Sequence, residues 1–201
     1  MSYSELLLGC GHSREKRLHP PDRFGEIYPR DWQNLITLDN NPDCNPTMLC
    51  DLSTLGTWGG YNERDYKTGV LQWYPVQNKL PLNDNEFDEV HAYEVLEHVG
   101  VAGDHTLFFG QFAEFYRVLK PNGYFCATVP SWKSIWAWGD PGHTRVISPA
   151  SLVFLDREEY TKQLGKTSMS DYRSLLGVTN FRRVSQNTVG DTFEFILQAV
   201  K

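Results

Sequence analysis

The sequence lacks the usual features of membrane, secreted and nucleic-acid-binding proteins. Its 201 residues include four cysteines and no Cys-x-x-Cys pair, which argues against a zinc knuckle and a disulfide framework. No apolar run approaches the length of about 18 residues that spans a membrane, and the N-terminus has no signal-peptide core. The net charge of -6 supplies no general attraction to phosphate backbones. We therefore expect a soluble, cytoplasmic protein without membrane or nucleic-acid partners.

The order of apolar segments predicts an α/β fold. The chain has the length of one domain, and no repeat or linker divides residues 1–201. Short apolar runs recur, and residues 105–120 carry apolar side chains at helical spacing, a pattern typical of a parallel sheet with crossover helices. The predicted strands of this part are Glu5–Leu8, Leu35–Leu38, Thr47–Cys50, Phe87–Tyr93 and Tyr124–Val129.

The C-terminal part and three longer segments follow other patterns. Residues 181–187 and 192–200 flank a Val-Gly-Asp turn, which predicts an antiparallel hairpin. We expect irregular structure in residues 12–34, in an aromatic insertion at 56–79 and in residues 131–149. Long irregular segments in compact domains are usually functional or mobile.

Three predicted strands end in residues suited to a nucleoside. Gly9-Cys10-Gly11 follows the first strand, where missing Cβ atoms let a ligand approach the backbone. Asp39 ends the second strand and can accept hydrogen bonds from both ribose hydroxyls. Asp51 follows the third and can accept from the exocyclic amine of adenine. Each Asp alone is more often a turn former or a helix cap. Together they predict one binding crevice, because the ends of neighbouring parallel strands converge.

The same region argues against a dinucleotide. A pyrophosphate calls for Gly-x-Gly-x-x-Gly with a helix N-terminus behind it, but the sixth position here is Arg14. Pro20 and Pro21 leave little room for a helix. S-adenosylmethionine contains ribose and adenine and needs no phosphate cradle, so it is the favoured ligand.

Further motifs carry a family resemblance over nearly the whole chain. The matching segments are residues 7–11, 38–39, 50–52 and 80–90, then Val95-Leu96-Glu97-His98-Val99 and Arg117-Val118-Leu119-Lys120-Pro121-Asn122-Gly123-Tyr124-Phe125. With them the chain resembles the class I S-adenosylmethionine-dependent methyltransferases of type 11. The resemblance implies a Rossmann-like three-layer sandwich, whose seven-stranded, mostly parallel sheet has the order 3-2-1-4-5-7-6 with strand 7 antiparallel. Leu7 and Ser13 depart from the family pattern, and a proline-containing segment replaces its first long helix.

The resemblance also implies site residues. The cofactor-binding set is Gly9, Cys10, Gly11, Asp39, Asn40, Asp51, Leu52, Tyr93, Glu94 and His98. Residues 131–149, the acceptor-side loop, follow the fifth strand, where this family usually places acceptor residues. We expect Trp132, Trp136, Trp138 and Arg145 to bind substrate. His143 is the candidate catalytic base, and Arg145 suits an anionic group. The spacing of the histidines predicts no metal site.

The sequence thus predicts transfer of a methyl group from S-adenosylmethionine to an oxygen, nitrogen or carbon nucleophile. The chain lacks both the Asn/Asp-Pro-Pro-Tyr/Phe and the Pro-Cys motifs of DNA methyltransferases, which favours a small-molecule acceptor. The alternative is a catalytically silent member of the same fold that binds the cofactor or a partner protein, with the insertion at 56–79 as the contact surface. A nicotinamide oxidoreductase is disfavoured by Arg14.

Overall fold

The central sheet defines the architecture. The computed structural model describes residues 2–22, 27–55, 58–64, 71–77 and 79–201, with the backbone alone for 54, 58–64 and 71–77. Seven strands form one sheet in the order β3-β2-β1-β6-β7-β9-β8. They are β1 (Glu5–Leu8), β2 (Leu35–Asp39), β3 (Met48–Leu49), β6 (Phe87–Tyr93), β7 (Leu119–Pro130), β8 (Phe181–Val189) and β9 (Thr192–Ala199).

Two strand numbers are absent from the order of the main sheet because those two strands form an inserted hairpin. Strands β4 (Trp58–Arg64) and β5 (Leu71–Gln77) pair antiparallel with each other in a separate sheet. Without this pair the main sheet reads 3-2-1-4-5-7-6, and its seventh strand runs antiparallel between its neighbours. The predicted fold class is therefore confirmed. The expectation of irregular structure at 56–79 was wrong for these two strands. Their sequences contain Gly59, Gly60 and Pro75, and glycine and proline are more typical of turns than of strands.

One face of the sheet carries the hydrophobic core under a long helix. Helix α1 (His105–Val118) begins at Asp104, whose side chain accepts the N–H of Leu107 at 2.8 Å. Its Phe115 ring stacks on Phe125 of β7 with centroids 5.1 Å apart. Four shorter helices follow β7 in the described residues: α2 (Trp136–Gly139), α3 (Pro149–Val153), α4 (Arg157–Gln163) and α5 (Arg173–Leu176). Two 3₁₀ turns, Pro42–Cys44 and Leu52–Thr54, lie before the inserted hairpin.

The opposite face is covered by irregular segments, residues 12–22 and 27–34, which together we call the strap. These segments contain no helix, consistent with Pro20, Pro21 and Pro29. Leu18 and Trp32 pack against Leu7, Cys10 and Tyr93. The predicted replacement of the family's first long helix is thus seen in these parts of the chain.

A buried charged cluster lies under the strap. The Lys16 ammonium bridges the carboxylates of Glu5 and Glu89, the second at 3.1 Å. His91 hydrogen-bonds to Glu89 at 2.7 Å and to the Tyr93 hydroxyl at 2.6 Å. That hydroxyl accepts the backbone N–H of Leu18 at 3.2 Å. Side chains of β1 and β6 therefore hold the strap in place.

Within the described residues, no helix is long and apolar enough to cross a membrane.

Candidate functional site

The glycine turn after β1 is shaped by two left-handed residues. Gly9 and Gly11 have φ angles of +55° and +50°. A Cβ atom at Gly9 would lie 2.2 Å from Cγ2 of Val95, whereas one at Gly11 would meet no atom of the described residues within 4 Å. Gly9 is therefore required by packing against the segment after β6. Gly11 leaves open space beside the backbone, as a ligand site requires.

Asp39 fixes this turn from the end of β2. Its side chain is buried, with 8 % of the residue exposed. One carboxylate oxygen accepts the N–H of Gly11 at 2.8 Å and the other accepts the N–H of Asn41 at 2.8 Å. A carboxylate offers about four lone-pair sites, so Asp39 retains acceptor capacity for a ligand.

Asp51 caps the 3₁₀ turn that follows β3. Its carboxylate accepts the N–H of Ser53 at 2.9 Å, and the residue is exposed. The capping role expected of an isolated Asp is therefore present. Because the residue also lines a cavity with Gly11 and Asp39, it is available to a ligand as well.

These strand ends surround one cavity, the strand-end cleft, of about 310 Å³. Ligand pockets measure about 300–1,000 Å³, so the cleft has the size of a small-molecule site. It is lined by Gly9, Gly11, Asp39, Asn40, Cys50, Asp51, Leu52, Ser53, Val95, His98 and Val99.

Three of the residues predicted to bind cofactor do not line this cleft. Cys10 and Tyr93 pack together under the strap, on the face opposite α1. Tyr93 lies on this face because successive side chains of β6 alternate between faces. Cys10 lies beyond the end of β1, in the glycine turn, and packs against Leu7 and Tyr93. Glu94 also lies outside the lining. The cleft is also lined by four residues that were not predicted, Cys50, Ser53, Val95 and Val99. The only indication of them in the sequence is that each adjoins a residue of the predicted cofactor-binding set.

The segment after β6 holds a buried carboxyl group. Glu97 is 2 % exposed, and one of its oxygens has no hydrogen-bond partner among the described residues. Burial and, to a smaller extent, the neighbouring carboxyl groups of Glu94 and Asp140 raise the pKa of Glu97 to about 8. Glu94 itself has a left-handed backbone, with φ at +54°.

The acceptor-side loop packs against this segment. The backbone N–H groups of Thr144 and Arg145 donate to the Glu97 carbonyl, at 2.7 and 3.3 Å. The rings of His98 and His143 meet edge to face with centroids 4.7 Å apart. The loop therefore reaches the strand-end cleft at His98.

The tautomers of these two histidines follow from their partners. Nδ1 of His143 lies 2.8 Å from the carbonyl of Trp136, and Nδ1 of His98 lies 3.1 Å from that of Gly142. A carbonyl only accepts, so Nδ1 carries the proton in each ring. The lone pair of each neutral imidazole is then on Nε2.

A second cavity, the apolar cavity, measures about 360 Å³, and its lining begins at Val101, two residues after Val99 of the first cavity. Its wall includes Phe108, Trp138 and Arg145. The Arg145 guanidinium is buried, donates to Gln111 at 3.0 Å and lies over the Phe108 ring. Burial lowers the pKa of Arg145 to about 10, so it stays cationic at neutral pH. Its Nη2 has no hydrogen-bond partner in the described part of the chain.

The tryptophans of the acceptor-side loop have different surroundings. Trp132 packs edge-on against Phe193 and joins the core. Trp136 and Trp138 are 59 % and 72 % exposed. Of the residues predicted to bind substrate, Trp138 and Arg145 line the apolar cavity, whereas Trp132 and Trp136 do not.

Comparisons with known proteins bear on the fold. The family model Methyltransf_11, a methyltransferase domain, matches residues 63–127. The chain is similar to one in the complex between the Haloferax volcanii Trm112 methyltransferase activator and a methyltransferase, at 12% identity and TM-score 0.53, covering 99% of this chain and 83% of that one. It is also similar to an S-adenosylmethionine-dependent methyltransferase from Archaeoglobus fulgidus, at 15% identity and TM-score 0.50, covering 98% and 86%. A search among curated proteins finds no match.

The fold is that of the class I S-adenosylmethionine-dependent methyltransferases. The predicted resemblance is confirmed by the methyltransferase-domain match and by the sheet order. S-adenosylmethionine is accordingly the cofactor that the comparisons support. The open space at Gly11 and the buried Asp39 carboxylate fit its nucleoside part.

Proposed function

We propose that the protein transfers a methyl group from S-adenosylmethionine to an oxygen, nitrogen or carbon nucleophile of a small molecule. The observation that carries this proposal is the convergence of the glycine turn, Asp39 and Asp51 on one cleft of about 310 Å³. Residues 1–201 act as a single domain, with the β4–β5 hairpin as an insertion.

In this proposal the strand-end cleft holds the nucleoside part of the cofactor. Asp39 accepts the ribose hydroxyls through the capacity left by its two backbone contacts. Asp51 accepts from the adenine amine, while Gly9, Gly11, Asn40 and Leu52 shape the walls. His98 marks the end of the cleft that faces the acceptor-side loop. Cys10 and Tyr93 serve the cleft indirectly, through the packing under the strap.

The acceptor occupies the apolar cavity. His98 and Val99 line the strand-end cleft, and residues 101–104 line the apolar cavity, so one short segment separates the two spaces. A buried cation with an unpartnered N–H at an apolar wall suits an acceptor with an apolar body and an anionic group. Trp138 covers the entrance as an exposed aromatic side chain.

The protein's contribution to the reaction is alignment and exclusion of water. The sulfonium of the cofactor is already a strong electrophile, so a base is needed only when the nucleophile carries a proton. His143 lines neither cavity but lies against His98, which lines the strand-end cleft. In the proposal it supplies that base, because its Nδ1 is held by a carbonyl and Nε2 has the lone pair.

The test combines binding with turnover. Calorimetry with S-adenosylhomocysteine should give one site per chain, and release of S-adenosylhomocysteine should be measured over a panel of aryl and alkyl carboxylates. Each carboxylate is paired with its neutral amide, which Arg145 should disfavour. A folded protein that binds neither form of the cofactor contradicts the proposal. Binding without turnover on any acceptor favours the silent alternative, with the β4–β5 hairpin as a partner surface.

A further inference from the structure

Glu97, His98 and His143 form a three-residue cluster where the acceptor-side loop meets the segment after β6. One ligand atom of each lies within 4.8 Å of the other two. His143 is 45 residues from His98 in sequence, so spacing alone did not reveal the group. We propose that this cluster binds a divalent first-row transition-metal ion.

The hydrogen bonds of the two histidines prepare them as ligands. A metal-binding imidazole almost always donates its other ring N–H to a carboxylate, carbonyl or water, which fixes the tautomer and the ring orientation. Here the carbonyls of Trp136 and Gly142 are the partners of the two Nδ1 atoms. Both rings therefore carry their lone pairs on Nε2, the form in which imidazole binds metal.

Glu97 provides an independent sign of a missing partner. The residue is 2 % exposed, and one carboxyl oxygen is buried and accepts no hydrogen bond in the described part of the chain. Buried polar atoms without a partner are uncommon in folded proteins, and each calls for an explanation. The nearby carboxyl groups of Glu94 and Asp140 add negative charge. A cation among these groups satisfies the oxygen and offsets the charge.

A second group of potential ligands, Glu89, His91 and Cys126, lacks these properties. All three are fully buried, and both ring nitrogens of His91 already have partners in Glu89 and Tyr93. The Lys16 ammonium supplies a positive charge there. Neither nitrogen of His91 is therefore left for an ion, which is why the proposal falls on the other cluster.

The donor set limits the choice of ion. Two imidazole nitrogens and one carboxylate suit Zn²⁺, Co²⁺, Mn²⁺ or Fe²⁺, whereas Mg²⁺ prefers oxygen ligands and retains several waters. His98 is exposed, so water or a substrate atom can complete the coordination. A bound ion occupies the lone pair of His143 that proton transfer would use, so metal-bound protein cannot use His143 as the base.

The test measures metal binding directly. Full-length protein without a histidine tag, treated with chelator, is titrated with Co²⁺ and Zn²⁺ by calorimetry, and the visible absorption of Co²⁺ reports its ligands. We expect one ion per chain, release of protons on binding, and no competition by equimolar Mg²⁺. Glu97→Gln, His98→Gln and His143→Gln should each weaken binding by at least about tenfold. His105→Gln is the matched control, since His105 lies outside the cluster, stacked on Tyr172.

Two results would overturn the inference: absence of stoichiometric binding by folded protein, or affinities unchanged in all three cluster variants. Circular dichroism confirms that each variant is folded. S-adenosylhomocysteine binding is measured on the same samples. Metal binding that persists in protein unable to bind S-adenosylhomocysteine supports this inference and contradicts the proposed function. The opposite pattern contradicts the metal site alone.

Discussion

The carboxylate of Asp39 accepts the backbone N–H of Gly11 at 2.8 Å, so the acidic end of β2 holds the turn that follows β1. A second contact, from Asn41, fixes the same carboxylate from its own strand end. The orientation of the side chain is therefore set before any ligand arrives, which lowers the entropic cost of binding.

Replacing Asp39 should weaken cofactor binding. Asp39→Ala removes charge-assisted hydrogen bonds worth about 1.5–3 kcal/mol, which corresponds to a loss of about 10- to 150-fold in affinity. Calorimetry with S-adenosylhomocysteine measures the effect. Asp43→Ala is the control, because Asp43 is an exposed carboxylate nearby. Equal affinities of both variants and wild type would remove the ribose assignment.

The two glycines of the turn should respond differently to a side chain. Gly11→Val should abolish cofactor binding and keep the fold, because its Cβ enters open space while the left-handed backbone costs about 1–2 kcal/mol. Gly9→Ala should lower the melting temperature further, because its Cβ would clash with Val95. Thermal melts and titrations are read together. Cofactor binding by Gly11→Val would mean that the turn is only structural.

His143→Ala tests the base in metal-free protein. If Nε2 accepts the acceptor's proton, kcat should fall by about 10²- to 10⁴-fold while donor affinity stays near wild type. If His143 only braces the loop through Trp136, the melting temperature should fall and the acceptor KM should rise instead. The measurements are kcat, both KM values and Tm in the presence of chelator. An unaltered kcat would contradict the assignment of His143 as the general base.

Arg145→Met tests the anionic acceptor. The change keeps an apolar side chain beside Phe108 and removes the charge, so we expect the KM of a carboxylate acceptor to rise by about 10- to 150-fold. The KM of the matched amide should change little. Affinity for S-adenosylhomocysteine is the control, since Arg145 lies outside the strand-end cleft. An equal effect on both acceptors would assign Arg145 to packing.

The charged cluster under the strap should make the fold sensitive to acid. Burial lowers the pKa of His91 from 6.5, and Tyr3, Glu5, Lys16, His19, Glu89, Tyr93 and Cys126 surround it. At His91 the unfolded chain then binds more protons than the native one below pH 6.5, so the contribution of His91 to stability falls as pH decreases from that value. Glu97, whose pKa is raised to about 8, contributes with the opposite sign over the same range. Urea unfolding between pH 7.5 and 5.5 measures the slope.

His91→Gln should remove the His91 contribution, so the stability of the variant should fall less, or rise more, than that of wild type as pH decreases. His19, whose pKa burial also lowers, contributes with the same sign as His91, whereas Glu5 and Glu97, whose pKa values are raised, contribute with the opposite sign. His12→Gln, at an exposed position, is the control. A slope that His91→Gln leaves unchanged contradicts the assignment.

Much of the fold was readable from the sequence because its signals are local. Apolar runs bounded by turns located β1, β2, β6 and the terminal hairpin, and helical spacing located α1. The inserted β4–β5 hairpin was missed because its glycines and proline resemble loop residues.

The site was less predictable because it depends on faces and on distant contacts. Gly11, Asp39 and Asp51 follow strands directly, so their convergence could be expected. The placement of Cys10 and Tyr93 depends on which face each side chain takes, which composition does not specify. The meeting of His98 with His143 depends on how a loop packs, and no periodic pattern records that.

The strap also has a consequence for the order of folding. A helix makes its own backbone hydrogen bonds, whereas the N–H groups of Arg17 and Leu18 depend on the hydroxyl of Tyr93. Lys16 likewise needs Glu5 and Glu89, which are adjacent only once β1 and β6 have paired. The native contacts of the strap therefore require the paired sheet centre, and we expect the segment that leaves the glycine turn to become ordered only after β1 and β6 have paired.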